Sequence, residues 1–194
     1  MKITICGSIA FYDKMLEIKR ELEELKHEVD LPPFEIKDDK GRMIPVLEYY
    51  RIRKSETSDD SWVWNEKERA IRNHFDKIVW ADVILVVNYD KNNVPGYIGG
   101  NTFLEMGIAF FLKKKIFLLN PIPEVSYREE ILGMKPIVIN NSLNEIYYVD
   151  MINRIEIPGN STVSVYVYIE MSEEAGNELQ ETELYINRFM FIKA

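Results

Sequence analysis

A carboxylate beside a glycine pair is the residue of this chain best placed for chemistry. Glu105 follows Gly99 and Gly100, and the apolar run 83–87 precedes them. A buried strand, a glycine-bearing loop and a helix start, in that order, are typical of the ligand site of an open α/β sheet, because loop amides and helix N-termini converge outside the strand ends. A carboxylate at such a site can act as a covalent nucleophile on a sugar. Glu105 is therefore a candidate catalytic residue.

The same glutamate also fits a structural motif. Thr102 and Glu105 have the S/T-x-x-E spacing of a capping box, in which the threonine caps the third helical amide and the glutamate reaches back to the cap. From the pattern alone this structural role is favoured. Two interpretations therefore stay open, a helix cap and a residue that meets a ligand.

A second glycine turn follows the first predicted strand. The backbone amides of Gly7, Ser8 and Ile9, together with the Ser8 hydroxyl, could hold a phosphate or a sugar hydroxyl. Neither a full G-x-G-x-x-G loop nor a Walker loop occurs in the chain. The turn indicates a binding site without naming its ligand.

The remaining residue types limit the chemistry further. The chain has 2 histidines and 1 cysteine, so we expect no zinc constellation and no Ser-His-Asp or Cys-His arrangement. Cys6 lies in an apolar strand, where a buried thiol is the ordinary expectation. His74 lies near the end of a predicted helix, where a lone histidine is usually solvated or capped. We expect no metal ion and no organic cofactor.

Alternating strands and helices position these residues. Apolar runs predict the strands, and apolar residues at helical spacing predict the helices between them. The alternation predicts an α/β fold, with a doubly wound, mainly parallel five-stranded sheet and helices on both faces. The predicted strands span 1–6, 29–31, 82–88, 116–120 and 136–140, and the predicted helices span 13–27, 61–81, 101–113, 128–132 and 143–151.

Two regions depart from this alternation. Residues 35–60 are polar and rich in turn-forming residues, which predicts an irregular insertion or a mobile lid over the strand ends. Further along, alternating apolar residues at 162–170 predict a half-buried strand that pairs with 184–192. We therefore expect an α/β domain over 1–152 and a small β-rich extension over 153–194.

Composition and charge argue against several partners. Asp and Glu number 32 against 24 Lys and Arg, which gives a net charge of -8 and argues against a nucleic-acid polymer as partner. No stretch approaches the roughly 18 apolar residues that a membrane span needs, and no long apolar run follows Lys2. We expect a cytoplasmic protein without a membrane partner.

Three segments of the chain resemble the nucleoside 2-deoxyribosyltransferase family, which includes the 2'-deoxynucleoside 5'-monophosphate N-glycosidases. They are Cys-Gly-Ser-Ile at 6–9, the apolar strand at 81–86 and Gly-Asn-Thr-Phe-Leu-Glu-Met-Gly-Ile-Ala at 100–109. Glu105 falls on the family's nucleophilic glutamate. The resemblance implies that this glutamate attacks the anomeric carbon of a 2-deoxyribosyl unit and releases the base, after which water or a second base resolves the glycosyl-enzyme.

The resemblance also implies a substrate pocket and an assembly. The partner would be a small-molecule nucleoside or nucleotide, and no cofactor is implied. A homodimer or larger oligomer is expected, because family members often complete their sites across a subunit interface. The residues that would line the pocket are Gly7, Ser8, Ile9, Phe11, Asn88, Gly99, Gly100, Asn101 and Thr102.

Three positions differ from the family pattern. His74 stands where the family has an aspartate that assists the leaving base, and it would act as the acid because a histidine titrates near neutrality. Thr4 replaces a tyrosine that steadies the nucleophile, and Ala10 replaces a phosphate-binding arginine, for which Lys14 is a candidate substitute. These differences keep a non-catalytic nucleotide-binding sensor open as an alternative to cleavage or transfer. A structural subunit, in which Glu105 only caps its helix, is a third hypothesis.

Overall fold

Strands and helices alternate along the part of the chain that the structure describes, residues 1–146 of a computed structural model. The extension predicted at 153–194 and the end of the helix predicted at 143–151 lie outside the described residues. No helix within the described part is both long enough and apolar enough to cross a bilayer. In chain order the elements are β1 (Lys2–Gly7), a short 3-10 turn (Ile9–Phe11), α1 (Tyr12–Glu24), β2 (Glu28–Asp30), β3 (Glu35–Lys37), β4 (Met43–Pro45), α2 (Val46–Ser55), α3 (Trp62–Trp80), β5 (Val83–Val87), α4 (Gly100–Phe111), β6 (Lys115–Leu118), α5 (Arg128–Gly133) and β7 (Ile137–Val138).

Five of these strands form one sheet in the order β2-β1-β5-β6-β7. All of its pairings are parallel, which confirms the predicted fold class for the described residues. The chain passes from β1 to β2 on one side, whereas it passes from β5 to β6 and β7 on the other. The carboxyl ends of β1 and β5 therefore flank the switch point of the sheet, where the register pairs Gly7 with Val87.

Helices cover both faces of the sheet, as predicted. Alternate residues of a strand point to opposite faces, so Leu85 lies in the apolar core that includes α1 and Val86 lies in the core that includes α4. Cys6 belongs to the second core. On the same face of β1, the Thr4 hydroxyl donates a 2.8 Å hydrogen bond to the carbonyl of Lys77 in α3. The alternation of β1 thus directs Cys6 towards α3 and α4.

Most of residues 35–55 form regular secondary structure, which corrects the prediction of an irregular stretch, whereas a lid role stays a prediction. β3 and β4 pair antiparallel as a hairpin, and α2 follows directly. Ile36, Ile44, Tyr49 and Val63 form a separate small core, in which the Tyr49 hydroxyl donates a 2.7 Å hydrogen bond to the carbonyl of Val63. Hydrophobic periodicity does not indicate this unit, because each of its two short strands has a single buried side chain. Helix α2 of this insertion packs beside α3 and beside the 3-10 turn after β1.

The edge strand β7 is shorter than the predicted 136–140. It holds only Ile137–Val138. Lys135 and Asn140, on either side, have positive φ angles of 51° and 47°, and an extended strand does not accommodate this left-handed conformation. The sheet therefore tapers at β7, far from the switch point between β1 and β5.

Candidate active site

Glu105 lies in the second turn of α4 and not at its cap. The N-cap is Gly99, whose backbone is extended and which makes no side-chain cap bond. Thr102, the predicted cap, lies inside the helix and is buried. The capping-box prediction is therefore wrong, because the glycine pair lets the helix begin before the threonine. The Glu105 carboxyl group instead lies near Cys6 of β1.

Glu105 shares a buried site with His74 of α3 and Cys6 of β1. His74 Nε2 lies 3.8 Å from Glu105 Oε1, and all three functional groups lie within 4.8 Å of one another. The exposed fractions of Cys6, His74 and Glu105 are 0%, 5% and 8%. Within residues 1–146, neither ring nitrogen of His74 nor Oε2 of Glu105 has a hydrogen-bond partner. These three residue types can ligate a metal ion, so the cluster is a candidate metal site, and the expectation that the chain binds no metal stays a prediction.

Burial sets the protonation states of this cluster. It raises the pKa of Glu105 to about 8, although the Cys6 thiol and the Lys67 ammonium oppose the effect. It lowers the pKa of His74 to about 4, and the positive charge of Lys77 contributes in the same direction. At neutral pH the resting site holds a protonated Glu105 and a neutral imidazole. The premise that His74 titrates near neutrality is therefore wrong, because burial disfavours its charged form.

The turn after β1 is in contact with a lysine that the sequence did not single out. Lys91 Nζ donates hydrogen bonds to Ser8 Oγ at 2.7 Å and to the Tyr50 hydroxyl at 3.2 Å. The same ammonium lies 5.4 to 5.9 Å from the ring centroids of Tyr50, Tyr97 and Phe11, close enough for cation–π attraction. Hydroxyl groups and aromatic rings thus hold a positive charge beside Ser8.

Further cations gather around Tyr50. Arg53 and Lys54 lie 5.4 and 5.9 Å from its ring centroid. Burial lowers the pKa of Lys67 to about 8, and the charges of Arg53 and Lys54 add to this effect, whereas Glu105 opposes it. Lys67 is therefore coupled both to these cations and to the candidate nucleophile. We define the Tyr50 cation cluster as Arg53, Lys54 and Lys91, which surround the Tyr50 ring.

Sequence patterns do not predict this cluster, because its members come from separate segments of the chain. Two belong to α2, in the region predicted as irregular, and Lys91 belongs to a tight turn in which it exchanges backbone hydrogen bonds with Val94. Lys14, the candidate substitute for the missing arginine, instead pairs with Glu17 at 2.7 Å on the exposed face of α1. Charged residues in loops carry no periodic signal, so only their contacts identify them.

Most of the predicted pocket residues gather at the carboxyl edge of the sheet. Tyr97 connects the turn after β1 with the start of α4. Its ring lies 5.5 Å from Lys91 Nζ, and a Cβ added at Gly99 would lie 3.2 Å from the same ring. The structure thus brings together Gly7, Ser8, Ile9, Phe11 and Gly99, whereas Gly100 and Asn101 are exposed and Thr102 is buried within α4.

The Asn88 side chain forms hydrogen bonds with backbone groups of neighbouring loops. Its amide nitrogen donates to the carbonyls of Gly96, Asn120 and Pro121 at 3.0 to 3.2 Å, and its Oδ1 accepts a 2.9 Å bond from the Asn120 amide. These bonds tie together the loops that follow β5 and β6. Backbone groups thus occupy the donors of Asn88 and one lone pair of its Oδ1, and the prediction that Asn88 binds substrate stays a prediction.

A large surface cleft lies away from this edge. It has a volume of about 540 Å³ and is lined by residues of α4, β6 and the start of β7, among them Phe111, Lys115 and Ile116. Lys115 is the first residue of β6, so the cleft lies at the amino end of that strand. None of the candidate site residues lines it, and the buried cluster around Glu105 is the better candidate for chemistry.

Comparison with known proteins finds likeness among solved structures. No protein-family model matches the chain, and no curated protein matches it. A 2-deoxyribosyltransferase from Bacillus psychrosaccharolyticus is 18% identical over 61% of this chain and 71% of its own, with a TM-score of 0.39. A CMP N-glycosidase from Clostridium botulinum is 18% identical over 78% and 99%, with a TM-score of 0.41. A conserved protein from Enterococcus faecalis V583 is 17% identical over 79% and 86%, with a TM-score of 0.36. At these values the likeness assigns no reaction to this chain.

Proposed function

We propose that this protein cleaves or transfers the N-glycosidic bond of a deoxynucleoside or deoxynucleotide, with Glu105 as the nucleophile. The observation that carries the proposal is the buried pair of Glu105 and His74, with 3.8 Å between Oε1 and Nε2. A carboxylate and a proton-transfer group are what a retaining glycosidic mechanism requires. The pair lies beside the ends of β1 and β5, where open α/β sheets bind their ligands.

In this mechanism Glu105 attacks the anomeric carbon while the bond to the base breaks, and the electron pair of that bond leaves with the base. A glycosyl ester results, and water or a second base then attacks the same carbon and releases the carboxylate. Because the pKa of Glu105 is raised to about 8, its carboxyl group must first lose a proton. His74 is the neutral base beside it. Since the pKa of His74 is about 4, this transfer is uphill in the ligand-free site and must be driven by substrate binding, and the imidazolium that forms is a strong acid towards the departing base.

The Tyr50 cation cluster supports a phosphorylated substrate. Lys91 lies beside Ser8, so it can supply the charge that Ala10 cannot. An ammonium next to the amides of a strand-to-helix turn is a typical setting for a phosphate. The chain as a whole has a net charge of -8, so the gathering of cations is local. We therefore propose a deoxynucleoside 5'-monophosphate as the preferred substrate.

The test is the release of free base from a panel of nucleosides and their 5'-monophosphates, deoxy and ribo, followed by chromatography. We expect release by the wild type and a loss of at least about a thousandfold with Glu105→Ala, because the nucleophile is gone. Glu66→Ala is the matched control, since Glu66 is also a buried glutamate with an unpartnered oxygen. Full activity of Glu105→Ala would show the mechanism to be wrong. Addition of a second free base distinguishes transfer from hydrolysis.

A non-catalytic nucleotide-binding sensor is the second candidate function. It is favoured by the raised pKa of Glu105, about 8, because a protonated carboxyl group is no nucleophile. Such a protein would use the Tyr50 cation cluster to bind a phosphate without turning the ligand over. If nucleotides raise the melting temperature while no substrate of the panel loses its base, the enzyme hypothesis fails and the sensor is supported.

A further inference from the structure

Cys6, His74 and Glu105 offer three kinds of donor atom at one place. The thiol, the imidazole and the carboxyl group all lie within 4.8 Å of one another. Sulfur, nitrogen and oxygen donors of these types are the ones that zinc takes from proteins. The three residues come from β1, α3 and α4, so they form a pocket between elements and not a surface patch.

A second observation points to a ligand at the same place. Within residues 1–146, both ring nitrogens of His74 and Oε2 of Glu105 lack hydrogen-bond partners, although both residues are more than nine-tenths buried. Buried polar atoms without partners are costly and rare in folded proteins. A cation between the imidazole and the carboxylate would satisfy one ring nitrogen of His74 together with the carboxylate of Glu105.

The distances suit a small ion after a minor adjustment. Two ligands that lie about 2.0 to 2.1 Å from a tetrahedral zinc ion are about 3.4 Å apart. His74 Nε2 and Glu105 Oε1 are 3.8 Å apart, so a shift of a few tenths of an ångström suffices for this pair. Rotation of the Cys6 side chain or of Glu105 can bring the thiol within reach, since the largest separation is below 4.8 Å.

We propose that Cys6, His74 and Glu105 form a binding site for Zn²⁺. A thiolate and an imidazole select zinc over magnesium or calcium, which prefer oxygen ligands alone. Three protein ligands leave one tetrahedral position for water or for a ligand atom.

Zinc and the proposed glycosyl transfer exclude each other at this site. A Glu105 oxygen that coordinates the ion cannot attack an anomeric carbon, and a coordinated His74 cannot move a proton. This consequence rests on the function proposed above, whereas binding of the metal does not. We therefore expect Zn²⁺ to inhibit base release and its removal by a chelator to restore it.

Binding must displace protons from two of the three ligands. Burial raises the pKa of Cys6 well above its usual range and that of Glu105 to about 8, so both groups hold a proton at neutral pH. Both protons pass to the buffer when the ion binds. Lys67 faces Glu105, and Lys77 and Asp30 face His74.

The direct test is a titration of the chelator-treated full chain with Co²⁺, followed by displacement with Zn²⁺. A thiolate bound to cobalt gives a charge-transfer band in the near ultraviolet, and Cys6 is the 1 cysteine of the chain. In the wild type this band therefore reports on Cys6 without any substitution. We expect the band to saturate at one equivalent and to disappear when zinc is added. Its absence would overturn the proposal.

Variants then identify the other ligands. We expect His74→Gln to weaken zinc binding by more than about tenfold and Cys6→Ser to abolish the cobalt band, with folding checked by circular dichroism. His27→Gln is the matched control, because His27 is the other of the chain's 2 histidines and its Nδ1 lies 3.4 Å from the Met1 amino group, away from the three proposed ligands. Loss of zinc binding in His27→Gln with full binding in His74→Gln would overturn the assignment.

Base release, measured in the chelator-treated protein before any metal is added, separates this inference from the proposed function. A cobalt band without base release from any substrate supports the zinc site and contradicts the glycosidase. Base release without a cobalt band contradicts the zinc site and supports the glycosidase. If zinc displaces cobalt but leaves base release unchanged, the two processes do not exclude each other and the inhibitory role is wrong.

Discussion

At the residue scale, the chemistry depends on a carboxyl group whose preferred protonation state changes on folding. Burial raises the pKa of Glu105 from 4.5 to about 8. A folded-state pKa above the unfolded one means that the protonated form is favoured by folding. The contribution of the protonated Glu105 carboxyl group to the free energy of unfolding is fully present below about pH 4.5 and is lost as the pH rises through about 8. The pair of Glu105 and His74 thus prefers to be neutral in the absence of a ligand.

We predict that the free energy of unfolding of the wild type falls between about pH 6.5 and pH 8 and that Glu105→Gln removes much of this decline. Below about pH 6.5 the lowered pKa of His74 offsets the effect of Glu105, and above about pH 8 the lowered pKa of Lys67 does so. Each unit of pKa shift corresponds to about 1.4 kcal/mol, so the difference should amount to several kcal/mol at the alkaline end. Urea denaturation at a series of pH values measures it. Glu66→Gln is the control and should retain the wild-type slope. Parallel pH profiles for the wild type and Glu105→Gln would contradict the raised pKa.

A second prediction at this scale concerns phosphate recognition by Lys91. Lys91→Met should raise the KM for a deoxynucleoside 5'-monophosphate by about 10- to 100-fold, which is what loss of a hydrogen bond to a charged group of about 1.5 to 3 kcal/mol gives. The KM for the unphosphorylated nucleoside should change little. Lys14→Met is the control, because Lys14 pairs with Glu17 on an exposed helix face. Equal effects of Lys91→Met on both substrates would show that Lys91 does not bind the phosphate.

At the element scale, the turn after β1 is held in place by close packing. Gly7 has a φ of +158° and pairs with Val87 at the end of β5. A Cβ at Gly7 would lie 2.7 Å from Met15 Cε and 2.9 Å from the carbonyl oxygen of Val87. The methionine end can move, whereas the strand carbonyl cannot without disturbing the sheet. The glycine therefore allows β1, α1 and β5 to meet at the switch point.

We predict that Gly7→Ala destabilises the protein by about 1 to 3 kcal/mol, as overpacking of a tight site does. Gly107→Ala is the matched control within α4, since a Cβ there meets nothing within 4 Å. It should be neutral or should stabilise the helix by up to about 1 kcal/mol. Thermal and urea unfolding measure both variants. Equal stabilities of Gly7→Ala and the wild type would show that the turn can relax.

At the scale of the whole molecule, overall charge and local charge have opposite signs. The net charge of -8 predicts that a nucleic-acid polymer is no partner, and this stays a prediction. The Tyr50 cation cluster lies within this acidic chain, where α2 and the loop after β5 meet. A net negative charge disfavours a long polyanion, whereas a local group of cations can still hold a small anion. This arrangement fits a nucleotide-sized ligand.

We predict that a chain ending at residue 152 folds by itself. Residues Met1–Asp150 form one compact unit, and both faces of its sheet are covered by helices. Circular dichroism should show a cooperative melt within a few degrees of that of the full chain. A non-cooperative or insoluble product would contradict the predicted boundary. Sedimentation of both chains tests the expected homodimer or larger oligomer and shows whether residues 153–194 are needed for assembly.

The alternation of apolar runs determined much of this protein from sequence alone. It predicted the α/β fold with its parallel sheet, and the strand-loop-helix junction singled out Glu105. These features are local, because periodicity and glycine content act within a few residues of the chain. Periodicity did not predict the strands within residues 35–60, because each of these short strands buries only one side chain.

Only the tertiary structure decided which residues surround Glu105 and Ser8. The order of the strands and the alternation of β1 direct Cys6 towards α3 and α4, where it meets His74 and Glu105. The fold likewise brings Lys91 to the turn after β1, although 83 residues separate it from Ser8. Such contacts depend on how distant elements are arranged in space, and no local pattern specifies that arrangement. The sequence therefore determined the candidate nucleophile and, through the family resemblance, its candidate proton partner His74, whereas the candidate metal ligands and the cations proposed to bind phosphate emerged only from the folded chain.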